Sequence, residues 1–329
     1  MDLLFYSAQA YDIKYFNQAN QQGAHRFRFL DAPLNEDNTA LIKEESAICI
    51  FVNDKADAAV INILKEKGIQ LIALRCAGFN NVDLKAAAAA GIKVVRVPAY
   101  SPHAVAEHAV TLLLALNRKI YKSYNRVRDG NFTLNGLEGF DLFGKTIGVV
   151  GTGNIGAVFC RIMQGFGCKV YAHDIYEQPE LAKAGVEYVS LSTVFSKADV
   201  ISLHCPLLES TRHIVNAHTI ATMKPGVVLI NTSRGGLIDT KAVVEALKNG
   251  HIGALGIDVY EQEEHLFFQN FSGSIIQDDV LSRLTTFPNV VVTAHQGFFT
   301  KEALTQIADI TLSNVRSFEV GEPLLNEVK

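Results

Sequence analysis

The sequence has little charge of one sign to spare: 30 Lys and Arg stand against 34 Asp and Glu, a formal net charge of −4. Nucleic-acid binding rests on neutralising phosphates, so such a chain is a poor polyelectrolyte partner for DNA or RNA. Long apolar runs are also lacking. No stretch approaches the ~18 residues that suggest a membrane span, and the best candidate, residues 112–116, is flanked by Glu107, His108 and Arg118. The start, Met1-Asp2-Leu3-Leu4, has neither the basic residues nor the small-residue cleavage site of a secretory signal. Cysteine is scarce: five residues with no C-x-x-C pair, which argues against a disulfide framework and a zinc ribbon. No cluster has metal-ligand spacing. The expectation is a globular cytoplasmic protein with no metal, no nucleic acid and no membrane among its partners.

Apolar residues, by contrast, are plentiful. They make up 48% of 329 residues, with 19% charged, and at ~150 residues per domain the length suggests about two domains. Strand-like runs fall at residues 3–6, 27–30, 47–52, 71–74 and 93–97; helical patterns at 57–67 and 83–90 end at Gly68 and Gly91. That alternation predicts a parallel sheet covered by helices. Ser101-Pro102 reads as an N-cap and first turn of a long helix reaching about Lys119, a natural mechanical link between domains. After a polar stretch at 126–144 the alternation resumes, with strands at 146–150, 169–173, 200–203, 227–231, 254–258 and 290–293. Helices are expected at 155–166, 240–249 and 301–318. The fold class is α/β, two doubly wound parallel-sheet domains, the second opening near residue 101.

One motif carries cofactor chemistry. The strand ending at Val150 runs into Gly151-Thr152-Gly153-Asn154-Ile155-Gly156. Gly151 permits the tight turn, Gly153 lets backbone approach a pyrophosphate, and Gly156 allows close helix–strand packing, while the helix N-terminus offers free N–H groups. Alone, this pattern is weak; here a strand precedes it, a helix follows, and a second strand ends at Asp174, about where a ribose hydroxyl acceptor belongs. Asp174 would repel a 2′-phosphate, and no Arg follows it nearby, so the reading is NAD rather than NADP.

In an open parallel sheet, ligands sit beyond the carboxyl ends of the strands. The polar residues there are His204, Ser233, Arg234, Asp258, Glu263 and His295. Reducing a carbonyl by hydride calls for a proton donor, which His supplies near neutral pH. It also calls for a substrate anchor, where Arg can grip a carboxylate with two parallel N–H bonds, and a carboxylate that favours the imidazolium. Spacing does not choose between His204 and His295. Arg234 could cap a helix instead, and Glu263 stands in an acidic cluster, Glu261-Gln262-Glu263-Glu264, that could be a solvated face. Arg75 is the second candidate anchor. Cys76 and Cys205 read as buried thiols.

Together these residues resemble the D-isomer-specific 2-hydroxyacid dehydrogenases, most closely the fermentative D-lactate branch. The likeness spans essentially the whole chain. It rests on Arg75-Cys76-Ala77-Gly78-Phe79-Asn80-Asn81-Val82-Asp83, Val97-Pro98-Ala99-Tyr100, the 151–156 loop, Asn231-Thr232-Ser233-Arg234-Gly235, Asp258-Val259-Tyr260-Glu261 with Glu263, and His295-Gln296-Gly297-Phe298-Phe299-Thr300. The segment from Leu266-Phe267-Phe268 to Asp278-Asp279 looks particular to the lactate branch. The resemblance implies a flavodoxin-like substrate domain, residues 1–100 plus 299–329, and a Rossmann NAD-binding domain, residues 101–298.

It further implies Arg234 on the substrate carboxylate and keto oxygen, Glu263 hydrogen-bonded to the catalytic His, and His295 as proton donor in preference to His204. Nucleotide contacts would fall on Asn154, Ile155, Asp174, Cys205, Pro206, Thr232 and Asp258, beside Gly151, Gly153 and Gly156. Backbone groups of Ala77 and Gly78 would help hold the carboxylate, with Tyr100, Phe298 and Phe299 shaping a small pocket. Gly297 stands where alanine is expected and would loosen that pocket slightly. The implied reaction is reversible reduction of pyruvate to D-lactate by NADH in a homodimer or homotetramer. Rivals are a dehydrogenase for a bulkier D-2-hydroxy acid and a non-catalytic NAD-sensing partner protein; the intact triad and the lack of basic or long disordered extensions argue against the second.

Overall fold

The computed structural model describes residues 1–263 and 266–329, and its contacts divide the chain after Ser101 and again after Phe298. The first unit comprises Met1–Ser101 and Phe299–Lys329, so Ser101 falls one residue on the other side of the boundary read from sequence. Its five strands are β1 (Asp2–Phe5), β2 (Arg26–Phe29), β3 (Ala47–Ile50), β4 (Leu71–Leu74) and β5 (Lys93–Val95). All pairings are parallel, in the order β2-β1-β3-β4-β5, the flavodoxin order. β3 and β4 are fully buried and read as unbroken apolar runs, as central parallel strands do. β2, Arg-Phe-Arg-Phe, lies at the edge and shows charge to solvent.

Asp57 and Asp83 cap the helices Ala58–Glu66 and Leu84–Ala90 by accepting from Val60 N and Ala86 N. Gly91, at φ 76°, closes the second in the left-handed region. The helix Lys301–Glu319 is capped by Thr300 and packs Ala308, Leu312 and Val315 into the same core as Leu3, Phe5 and Ala73. A helix at Ala10–Ala19 was not expected: it buries only Asp12 and Phe16, so its sequence carries almost no apolar stripe.

The second unit, Pro102–Phe298, holds β6 (Thr146–Val150), β7 (Lys169–His173), β8 (Glu187–Tyr188), β9 (Val200–Leu203), β10 (Val227–Asn231), β11 (Ile252–Ile257) and β12 (Val290–Val292). They pair in parallel as β12-β11-β10-β9-β6-β7-β8. The order reverses between β6 and β9, which is the Rossmann switch point. The helix Pro102–Arg118 belongs wholly to this unit, with Ala106, Ala109, Leu113 and Leu116 in its core. Lys119, at φ 47°, breaks it, and a second helix, Ile120–Arg128, follows with no buried residue. The polar stretch read from residue 126 onward therefore begins inside a helix. No helix among the described residues is long and apolar enough to cross a membrane.

Candidate active site

The loop after β6 is shaped by what its glycines exclude. Gly151 has φ 93°, and a β-carbon there would come within 2.5 Å of Cys205 N. At Gly156 it would lie 2.0 Å from Gly151 O, so helix Asn154–Gly165 sits on the turn as closely as backbone allows. Gly153 faces open space. No side chain caps that helix, leaving its first amides for a ligand. Asn154 is exposed, Ile155 half-buried and Pro206 exposed.

Asp174 follows β7. Its Oδ2 accepts from Thr152 N at 2.5 Å and Thr152 Oγ1 at 3.1 Å, and Oδ1 from Tyr176 N at 3.1 Å. Burial raises this carboxyl's pKa, but those bonds outweigh it and hold the group below the usual range. Across the switch point, the buried Cys205 thiol is pushed up to about 11 by burial, and the Cys205 carbonyl accepts from Ser233 Oγ at 2.7 Å. Thr232, just past β10, is 7% exposed, and its Oγ1 has no hydrogen-bond partner among the described residues.

Three neighbouring strands, β10, β11 and β12, deliver the candidate catalytic groups to one sheet edge. Past β10, Asn231 folds the loop back: its Oδ1 accepts from Ser233 N and its Nδ2 donates to Arg234 O. Arg234 is half-buried; among the described residues its guanidinium makes one hydrogen bond, Nη1 to Ser233 O at 2.7 Å, and although the residue precedes the short 3-10 helix Gly235–Leu237, its side chain makes no capping bond. Gly235 lets the next loop in, since a β-carbon there would stand 2.1 Å from Tyr260 C.

Past β11, Tyr260 N donates to Glu263 Oε2 at 2.8 Å, turning the Glu263 carboxylate inward. Its Oε1 lies 2.9 Å from His295 Nδ1. His295 follows β12 with φ 53°, a conformation that non-glycine residues hold only when their surroundings impose it. The imposing group is Asp258, 2% exposed. Its carbonyl accepts from His295 N, and its carboxylate accepts from Thr293 Oγ1, Gln296 N and Gly297 N. Burial raises the Asp258 pKa, but hydrogen bonds from His108 and Thr293 hold it below the usual range. With Nδ1 donating to the carboxylate, His295 Nε2 is left without a partner among the described residues and can carry a transferable proton.

His204 differs. It sits against Phe159 at 4.9 Å, bonds Ser202 Oγ at 2.9 Å, and burial drops its pKa to about 3. It is a neutral packing residue. In the acidic cluster, Glu261 holds His213 at 2.7 Å and Thr240 at 3.2 Å, so it too is structural; Glu264 lies outside the described residues.

A family model described as "D-isomer specific 2-hydroxyacid dehydrogenase, NAD binding domain" matches residues 110–297. The D-lactate dehydrogenase of Escherichia coli is 51% identical over 328 residues, covering all of both chains, and its apo-structure gives a TM-score of 0.92. The chain belongs to the D-isomer-specific 2-hydroxyacid dehydrogenases. A structure reported for the pyruvate reductase of Chlamydomonas reinhardtii gives a TM-score of 0.94 at 45% identity, covering 99% of this chain and 98% of that one. The NAD⁺ complex of Lactobacillus jensenii D-lactate dehydrogenase gives 0.83 at 32% identity, with both chains fully covered.

As a member of this family the chain is an NAD-dependent oxidoreductase. Its residues fit the dinucleotide: open space at Gly153, uncapped helix amides beyond it, and the orphaned Thr232 hydroxyl. On the first unit, Ala77 and Gly78 follow β4, and their amides donate to no group among the described residues. Arg96 fixes that loop through Ala77 O at 2.7 Å. Tyr100 is half-buried, Phe298 buried in the second unit, and Phe299 half exposed against Tyr11 in the first.

Two expectations are corrected. Arg75 is no reserve anchor: it is 1% exposed, paired with Asp12 at 3.3 Å and donating to Ser7 O and Tyr6 O. Gly297 does not loosen a pocket, because a β-carbon there would stand 3.0 Å from Asp258 Oδ2 and 3.5 Å from the His108 ring. Asn231 and Tyr260 stand inside the motifs that carry the resemblance but were given no role there, and neither was His108; each works by holding a neighbouring loop or side chain in place.

Proposed function

We propose that this dehydrogenase reduces pyruvate to D-lactate with NADH, reversibly, as the names of its relatives suggest. The observation that carries the reading is the His295–Glu263 pair, 2.9 Å apart and set by a left-handed backbone at the same sheet edge as Arg234. Bound NADH supplies a hydride to the keto carbon. His295 Nε2 gives its proton to the keto oxygen as charge develops there, and the Glu263 carboxylate steadies the imidazolium before the transfer. Arg234, with most of its guanidinium unengaged, grips the substrate carboxylate and polarises the carbonyl. On the first unit, the free amides of Ala77 and Gly78 suit a carboxylate oxygen; the aromatic residues that the family resemblance assigns to the substrate are Tyr100 and Phe299 on that unit and Phe298 on the second.

The amides of Gly153, Asn154 and Ile155 would hold the dinucleotide's pyrophosphate, with Gly151 and Gly156 shaping the turn. Asp174 takes the ribose hydroxyls through its remaining lone pairs, and Cys205, Pro206 and Thr232 line the strand ends. Asp258 contributes by clamping the His295 loop.

The first unit, Met1–Ser101 with Phe299–Lys329, serves as substrate domain and the second, Pro102–Phe298, as NAD-binding domain. The protein works in the cytoplasm as a homodimer or homotetramer. The helix Ile120–Arg128 supports self-association, because Ile120, Tyr124 and Val127 form an exposed stripe beside the segment that carries the exposed Phe132 and Leu134. Light scattering reads the assembly state directly.

The deciding assay is NADH oxidation against pyruvate, longer 2-keto acids and glyoxylate. Pyruvate should have the highest kcat/KM, with NADH far better than NADPH. A preference for a longer keto acid would reassign the substrate, and no turnover with any keto acid would overturn the enzymatic reading.

A further inference from the structure

Of the segment at 266–279, no part has a role in the reaction described above, yet it runs back to the proton donor. Leu266 N and Phe267 N both donate to Glu263 O, at 3.0 and 2.9 Å, which ties the start of the segment to the Glu263 residue. Phe267 is buried in the core of the second unit. Phe268 then takes φ 64°, and its ring centre lies 6.0 Å from the His295 ring, tilted by 37°. The far end is tied as well: the Tyr260 hydroxyl donates to Asp278, whose Oδ1 caps the helix Asp279–Thr286 through Leu281 N. Both ends of the segment are therefore anchored on the 258–263 turn that carries Glu263.

A left-handed backbone on a bulky residue is strained and persists only where the surroundings hold it. Here it faces a second left-handed residue, His295, ring against ring. We propose that Phe268 is a positioning residue for the proton donor: its ring covers one face of the His295 imidazole, fixes the rotation that directs Nε2 at the keto oxygen, and keeps water from that face. Glu263 restrains the imidazole at Nδ1 but leaves rotation about that hydrogen bond open. A flat aromatic wall removes that freedom, and an aromatic face also favours a cation beside it. This rests on the reading of His295 as proton donor.

The test is a double-mutant cycle on pyruvate reduction. Phe268→Ala should lower kcat about tenfold or more, with KM for pyruvate and the dissociation constant of NADH each within about threefold of the parent. Phe268→Tyr, which keeps the ring, should recover most of the rate. In a His295→Gln background, Phe268→Ala should cost less than about twofold, because the group it positions is gone. Melting temperatures of all variants separate this from misfolding, and Phe268→Leu supplies a packed alternative if the alanine variant does not fold. Parental kcat in Phe268→Ala, or an equal loss with and without His295, would overturn the proposal. If the parent reduces keto acids yet His295→Gln is fully active, the reading beneath it fails instead.

Discussion

His295 and His204 place the same imidazole past the ends of two strands of one sheet, in opposite surroundings. His204 is enclosed by Phe159 and Ser202 and stays neutral. His295 faces a carboxylate on one nitrogen and leaves the other open. Replacing His295 with Gln should lower kcat for pyruvate reduction by about 10²–10⁴-fold, the usual contribution of a general acid, with NADH binding retained by fluorescence titration. Near-parental kcat would show that the proton comes from elsewhere. Arg234 tests the anchor. A Lys keeps the charge but loses the two-point grip, so Arg234→Lys should raise KM and lower kcat together. A loss of ~2–4 kcal/mol in kcat/KM is expected if a close ion pair to substrate is weakened. Arg75, buried against Asp12, cannot substitute. Spacing did not choose between the histidines; the family resemblance implied His295 and the role of Arg234, and the surroundings that set His204 apart are a tertiary property.

Among the elements, the loops behind β10, β11 and β12 decide the site, and glycine sets how near they come. Gly235 admits the Tyr260 backbone where a β-carbon would stand 2.1 Å away, so Gly235→Ala must push the Glu263 turn aside. It should lose roughly 1–3 kcal/mol of stability, as overpacking does, and most of the activity. Gly153→Ala meets only open space and should melt like the parent while weakening NADH. Equal thermal loss in both variants, read by calorimetry, would remove the distinction. The strand and helix cores were legible because parallel strands buried on both faces read as apolar runs: the bounds of β6, β7, β9 and β10 coincide with those read from the sequence. The helices Ala10–Ala19 and Ile120–Arg128 escaped because they bury almost nothing that would mark a period.

For the molecule as a whole, the half-buried, neutral His204 links stability to pH. Its folded pKa of about 3 lies below the ordinary 6.5, so the unfolded chain takes up the proton first as pH falls. The stabilisation is complete above about 6.5 and is lost progressively towards 3. In urea melts at several pH values, His204→Gln should therefore show a shallower fall of unfolding free energy between those limits. An unchanged slope would mean that other groups dominate acid unfolding. By itself the sequence determined the two parallel-sheet α/β architectures and presented a glycine-rich strand–helix turn and a short set of polar strand-end residues, because apolar periodicity, glycine spacing and functional-group chemistry are local properties of the chain. Only the tertiary structure decided that Arg75 is sealed in a core, that Gly297 is packed against Asp258, and that His295 stands on Glu263 while His204 is silent. Those outcomes depend on which strand ends and loops meet, and side-chain burial, paired charge and backbone strain exist only once distant segments are in contact.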